Sequence, residues 1–489
     1  MIRVAVAVAA VAAALAATAG AASAGGPRMA VGAVEPEILQ PTLEQAQTMV
    51  DQAFQAGLAG ALRVQLTWAR GITAPQPETV TSLQNAVAAA ASRGAALYVS
   101  LYPYGSSQTP LADLDQEQFA QWAAAIAKAV PAEHHYIIGN EPNLNRFWLP
   151  QFGADGGDVA ASGYVSLLGR TYDALKAVDP SIQVLGGALS HAGVDKPNTG
   201  RDTHSPTQFI LDMGAAYRAS GRTAPIMDAL TFHPYMLASD EPPTLQHPTS
   251  TTITIADYDK LVATLGQAFD GTSQQGSQLP IVFDEYGVES QIPPEKASLY
   301  TGAEPSTIHP VDEATQAAYY AGAFQLAFCQ PNVKAILVFS LVDEVNRAGW
   351  QSGVYYADRT PKSSLPVVRA AASRVRRNVI ASCDGLQVTP RPRVSFFPEG
   401  RPTGEASTFP VAVTCDVDCR YRLRLVKVST GSTTLSTSGR LVGGFGKRLS
   451  FRTTRPATGR YRLELTAEAT MNVGPPATVS SPVFTIPSR

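Results

Sequence analysis

The stretch YIIGNEPNLNRFW, residues 136–148, reads as a buried strand that stops abruptly in polar residues. Tyr136, Ile137 and Ile138 put large side chains on both faces of a pleat, as a strand covered on both sides requires. The chain then delivers Gly139, Asn140, Glu141, Pro142 and Asn143. Pro142 removes a backbone donor and favours an extended conformation at Glu141. Alone, such a glutamate would read as a helix cap or a surface turn. Its meaning depends on what the rest of the chain builds around it.

Seven further runs of the same texture occur before residue 345, at 29–33, 61–68, 96–104, 184–190, 227–235, 279–287 and 335–344, with the opening run at 135–143. Between them lie alanine-rich segments such as TLEQAQTMVDQAFQAG and QEQFAQWAAAIAKAV, whose apolar residues recur at three- and four-residue spacing. Eight apolar strands separated by helices predict an α/β fold, a parallel (β/α)8 barrel over residues 27–383. An open doubly wound sheet uses the same alternation, but no phosphate-cradling glycine loop follows the first run. After residue 383 the texture changes. PRPRVSFFPEGRPTG reads as a boundary, and RYRLRLVKV and GRYRLELTAEA alternate strictly, which predicts a small all-β sandwich of immunoglobulin or fibronectin-like pattern over 391–489.

The 489 residues carry a net charge of −2. Fifteen Lys/Arg and six Asp/Glu lie from residue 391 onward, so that part holds +9 and the preceding part −11. Scattered surface arginines explain this; contact with an acidic polymer or envelope is the alternative. Nothing points to nucleic acid. Arg3, an alanine-rich apolar run and Ala22-Ser23-Ala24 form a secretory signal over residues 1–24, so a secreted or cell-envelope protein is expected, with no membrane span after its removal. Export permits disulfides. The four cysteines pair most simply as Cys415–Cys419 and Cys329–Cys383. Zinc is the alternative there, but the spacing matches no common zinc pattern and no histidine is near. No metal and no cofactor is implied.

Barrel chemistry gathers at the C-terminal ends of the strands. Those ends carry Arg63 and Trp68, Tyr102, Asn140 and Glu141, His233 and Tyr235, and Asp284 and Glu285. Period-two alternation groups Ile281, Phe283 and Glu285 on an inward face, with Asp284 outward, and groups Ile137, Gly139 and Glu141 likewise. Two glutamates then oppose each other across the barrel mouth. Cleavage of an acetal requires such a pair, one carboxyl to protonate the leaving oxygen and one to attack or to activate water.

GNEPN at 139–143, VFDEYG at 282–287, FHPY at 232–235 and LRVQLTW at 62–68 together resemble the clan A glycoside hydrolases, in particular cellulase-like family five and family thirty-nine. The resemblance spans about residues 29–375. It implies a retaining hydrolase acting on β-glycosides of a carbohydrate substrate, with Glu141 as acid/base and Glu285 as nucleophile. It further implies that Asn140 binds the sugar 2-hydroxyl, that Arg63 and Tyr235 bond the nucleophile, and that His233 lines the sugar site. Many members carry a tryptophan at the end of strand eight. Here that segment offers Phe339, and the nearest tryptophan is Trp350. Trp148, just past Glu141, is placed to stack on a leaving-group sugar or to pack its loop. A non-catalytic carbohydrate-binding barrel and a transglycosylase are the competing readings. The sugar, its linkage and the oligomeric state are not legible.

Overall fold

The computed structural model describes residues 29–376, 392–396, 408–415, 419–441, 446–452, 458–469 and 476–486. The expected signal at 1–24, the boundary near 383 and Cys383 lie outside the described residues. Cys415 and Cys419 form a disulfide with Cα atoms 6.6 Å apart. No described helix is long and apolar enough to cross a membrane.

Eight parallel strands close into a barrel in sequence order: β1 (Ala30–Val34), β2 (Ala61–Trp68), β3 (Ala96–Pro103), β4 (His135–Ile138), β5 (Gln183–Ser190), β6 (Ala229–His233), β7 (Ile281–Tyr286) and β8 (Val333–Val338). Around them run α1 (Leu43–Ala56), α2 (Pro77–Ser92), α3 (Asp113–Ala129), α4 (Ala160–Val178), α5 (Pro206–Ala219), α6 (Tyr258–Phe269), α7 (Glu313–Cys329) and α8 (Leu365–Arg376). Local chemistry marks the helix ends. Thr42 and Asp312 accept the Gln45 and Thr315 amides at the starts of α1 and α7, and Gly57 takes φ +76° to stop α1.

The strands sort their side chains by size. Bulky residues such as Leu62, Val64, Ile281 and Phe283 face the helices in the main core. The lumen is narrower and holds Val34, Ala61, Tyr98, Ile137, Leu185, Ala229, Val282, Ala335 and Leu337. Above this apolar floor the inward positions become polar: Arg63, Ser100, Thr231, His233 and Asp284 are all buried.

The C-terminal part is all-β, as its sequence predicts. Strands β9 (Pro392–Phe396), β10 (Thr408–Cys415) and β13 (Lys447–Arg452) form one antiparallel sheet. Strands β11 (Cys419–Lys427), β12 (Thr433–Leu441), β14 (Gly459–Ala469) and β15 (Ala477–Ser480) form the other, with β16 (Phe484–Ile486) on β14. Phe396 meets Phe484 edge-on at 4.9 Å across the two.

Candidate active site

The opening stretch leaves the barrel sooner than its sequence suggests. Strand β4 ends at Ile138, and Gly139 turns away with φ +95°. Glu141 itself has φ +39°, so the extended backbone expected before Pro142 is not what the chain adopts. Tertiary bonds impose this: the Glu141 amide donates to the Ala188 carbonyl at 2.8 Å, and the Leu144 amide returns to the Glu141 carbonyl at 2.9 Å. Asn143 locks the segment further, accepting from the Ser190 amide at 3.0 Å and donating to the His204 carbonyl at 3.0 Å. A non-glycine residue at positive φ costs free energy that the surrounding bonds must offset. The result is a carboxylate aimed back over the lumen.

Strand β7 corrects a second expectation. Val282 and Asp284 face inward, while Ile281 and Phe283 pack against helices. The large residues point away from the lumen because only small ones fit its lower layers. Glu285 still reaches the site because the β7–β8 register shifts between Phe283 and Tyr286. Asp284 therefore belongs to the site that simple alternation excluded it from.

Arg63 is the hub. Fully buried, it donates through Nη1 to Glu285 Oε1, through Nη2 to Asn140 Oδ1 at 3.0 Å, and through Nε to Ser100 Oγ at 2.6 Å. Asp284 Oδ2 lies 3.5 Å from the same Nε. Tyr235 donates its hydroxyl to Glu285 Oε2 at 2.9 Å, so each oxygen of that carboxylate has its own donor. Asn140 spends its carbonyl on Arg63, which leaves the amide nitrogen as the end available to a ligand.

His233 ties the three carboxylates together. Its Nδ1 lies 3.0 Å from Glu141 Oε1 and 3.4 Å from Glu285 Oε2, and its Nε2 lies 3.4 Å from Asp284 Oδ2. Burial opposes a charge on this ring, yet Glu285, Asp284 and the bond to Glu141 push it up to about 10. The imidazole is thus an imidazolium at neutral pH. Burial likewise works against ionisation of Asp284, but His233 and Arg63 outweigh it and hold that carboxyl below its usual range.

Above these groups opens a cavity of about 240 Å3 lined by Gln65, Tyr102, Asn140, Glu141, Phe147, Glu285, Phe339, Glu344 and Trp350, with Arg146 at its edge. Trp350 stacks on Tyr235 with centroids 4.6 Å apart and meets Phe339 edge-on at 5.6 Å. A second cavity of about 140 Å3 lies behind Trp350 and Tyr235, bounded by His191, Glu241 and Glu289.

The sugar-binding expectation for Trp68 is corrected, and of the two readings of Trp148 it is packing that the structure shows. Trp68 is fully buried, edge-on to Phe119 of α3, with Nε1 donating to the Ile72 carbonyl at 2.7 Å. Trp148 is buried edge-on against Tyr164 of α4. Both serve packing and neither lines the cavity, because each meets a helix aromatic. His233 sits beneath the cavity rather than on its wall. Sequence reasoning also passed over Gln65, Ser100 and Arg146. The alternation Tyr98, Ser100, Tyr102 against Leu97, Val99, Leu101 was the available signal for Ser100. Among the described residues no group of three or more His, Cys, Asp and Glu is arranged to hold a metal ion.

No family model and no curated protein matches the sequence. Solved structures do. The glucosidase from Croceicoccus marinus aligns with a TM-score of 0.50 at 12% identity, covering 88% of this chain and 94% of that one. GH5_18 from Streptomyces cattleya, in complex with GlcNAc, aligns with a TM-score of 0.48 at 17% identity over 72% of this chain and 81% of that one. Bacteroides uniformis beta-glucuronidase 2 aligns with a TM-score of 0.45 at 12% identity over 94% of this chain but 46% of its own. The chain therefore spans about half the length of that protein. At such identities the likeness is one of fold.

Proposed function

We propose that the chain is an exported retaining β-glycoside hydrolase that cleaves O-glycosidic bonds of a poly- or oligosaccharide. One observation carries the reading. A single nitrogen of His233 touches both Glu141 and Glu285, and both glutamates border one cavity. Those two oxygens therefore lie close enough for both carboxyls to act on one bond, and the resemblance of GNEPN and VFDEYG to the retaining clan A hydrolases selects the double displacement. This supports retention.

In the proposed reaction Glu285 attacks the anomeric carbon as Glu141 gives its proton to the departing oxygen, which leaves as the alcohol. Glu141, now a carboxylate, takes a proton from water, and the hydroxide attacks the glycosyl ester to free Glu285. Arg63 and Tyr235 each donate to one oxygen of Glu285 and so orient its carboxyl group for attack. The Asn140 amide nitrogen is positioned to bond the sugar 2-hydroxyl, a contact that strengthens as positive charge develops on the ring. Trp350, stacked on Tyr235, supplies an aromatic wall to the cavity. Trp148 would have favoured a sugar acceptor over water, but it is buried against Tyr164 and offers no such platform.

The test is a panel of aryl β-glycosides and soluble β-glucans, xylans and mannans, with Glu285→Gln alongside. Sugar released by the parent and not by the variant supports the proposal. Sugar bound by the parent with no release would favour the non-catalytic barrel.

A further inference from the structure

The outer face of the second β sheet presents an arrangement that folding alone does not reward. Along β11, Arg420, Arg422 and Arg424 alternate with buried Tyr421, Leu423 and Leu425. Their spacing along the strand is about 6.6 Å between successive arginines. Across the β12 register, Arg420 stands directly opposite Arg440, while Arg422 and Arg424 face Ser438 and Ser436. Across β14 the partners are Glu468, Thr466 and Glu464. Like charges directly opposite on one face destabilise a sheet.

Part of the counter-charge on this face is already committed. Glu464 takes Arg424 at 2.8 Å and Arg462 at 2.6 Å. Arg420, Arg422 and Arg440 form no ion pair among the described residues, and Glu468 is the one other carboxylate across from them. The remaining neighbours are hydroxyls: Ser436, Ser438, Thr466, Thr478 and Ser480. A depression of about 450 Å3 runs over Arg420, Arg422, Arg424, Ser438 and Thr466, and is bordered also by Tyr421, Glu468 and Pro476. Exposed Pro476 is the one apolar side chain at the border of this depression and Tyr421 beneath it is buried, so the face offers no broad stacking platform for a neutral sugar.

We infer that this face docks a linear polysaccharide bearing carboxylates, each held by a guanidinium of the β11–β12 arginines. Guanidinium and carboxylate match as two parallel hydrogen bonds, and the hydroxyls between them suit the uncharged groups of a sugar chain. A bound polyanion would relieve the Arg420–Arg440 repulsion that the bare sheet carries. The preference for a polysaccharide over another polyanion rests on the hydrolase reading of the barrel.

The test compares the full chain with an Arg420→Ser/Arg422→Ser/Arg440→Ser variant by affinity electrophoresis in polygalacturonate, in neutral galactomannan and against phosphatidylglycerol vesicles. The expected result is retardation of the parent by polygalacturonate alone, relieved by salt, with about tenfold or greater weakening in the variant. A melting temperature at or above the parent's shows that the variant is folded. Equal retardation of parent and variant, absence of retardation, or capture by vesicles but not polygalacturonate overturns the inference. Hydrolysis of a small aryl β-glycoside is measured on both proteins and is expected to be equal. Its absence in both would count against the barrel reading while leaving the retardation result to stand on its own.

Discussion

Replacing Asp284 by asparagine removes one buried charge at nearly constant volume. Asp284 Oδ2 lies 3.4 Å from His233 Nε2. At an effective dielectric constant of about 20, a unit pair at that separation is worth about 5 kcal/mol. Allowing half of it for relaxation still leaves about 2 pKa units. The imidazolium, at about 10 in the parent, should then titrate near 8 in the variant. The assay is the imidazole nitrogen shift of His233, identified among the seven histidines by a His233→Gln spectrum. The parent signal should stay that of an imidazolium up to pH 9. The variant signal should move to the neutral ring between about pH 7 and 9, and kcat/KM should fall over the same interval as Glu141 and Glu285 lose the cation between them. An imidazolium still intact at pH 9 in the folded variant would refute the reasoning. The two glutamates alone would then hold the charge.

Other outcomes follow from particular contacts. Tyr235→Phe takes the hydroxyl from Glu285 Oε2, a charge-assisted bond of about 1.5–3 kcal/mol, so kcat/KM should drop about 10- to 100-fold; a drop under threefold would contradict the role. Gly139→Ala would set a Cβ 2.8 Å from the Tyr164 ring at φ +95°, and a melting curve should show a loss of about 1–3 kcal/mol. Glu289 is buried, which pushes its carboxyl up to about 8 from 4.5. The folded state then holds a proton that the unfolded state releases between those two values, so stability falls as pH rises through that window. Glu289→Gln, whose amide oxygen can still accept from the Gln351 amide, should flatten the fall; denaturant melts at pH 5 and 8 with equal losses in both proteins would contradict this.

The barrel was legible because its strands differ sharply in composition from their helices. The run 61–68 matches β2 residue for residue. The ends of strands were harder. At 135–143 the polar residues after Ile138 read as the tip of the strand, whereas the bonds to Ala188, Ser190 and His204 turn the chain out of the sheet there. Face assignment failed on β7 because apolar residues line both sides of a barrel strand. Size decides which side is the lumen: Val282 fits there and Phe283 does not. Asp284 was lost from the site for that reason. The Trp68 reading failed, and the two readings of Trp148 stayed open, because their packing partners, Phe119 and Tyr164, come from helices that alternation along a strand does not place. Glu141, Glu285, Arg63 and Tyr235 all stand in motifs; the two glutamates border one cavity, and Arg63 and Tyr235 each bond Glu285 beneath it. Ser100 and Gln65 carry no motif at all; their places follow from the β2–β3 register that sets them opposite each other.

The most direct test of the account is the site of covalent labelling. The protein is incubated with 2-deoxy-2-fluoro-β-glycosides bearing a good leaving group, matched to whichever sugar the panel identifies, and its peptides are analysed by mass spectrometry. The account predicts one added fluoroglycosyl group, carried by Glu285 and absent from Glu285→Gln. A label on Glu141, or turnover without any label and with inversion at the anomeric carbon, would contradict it.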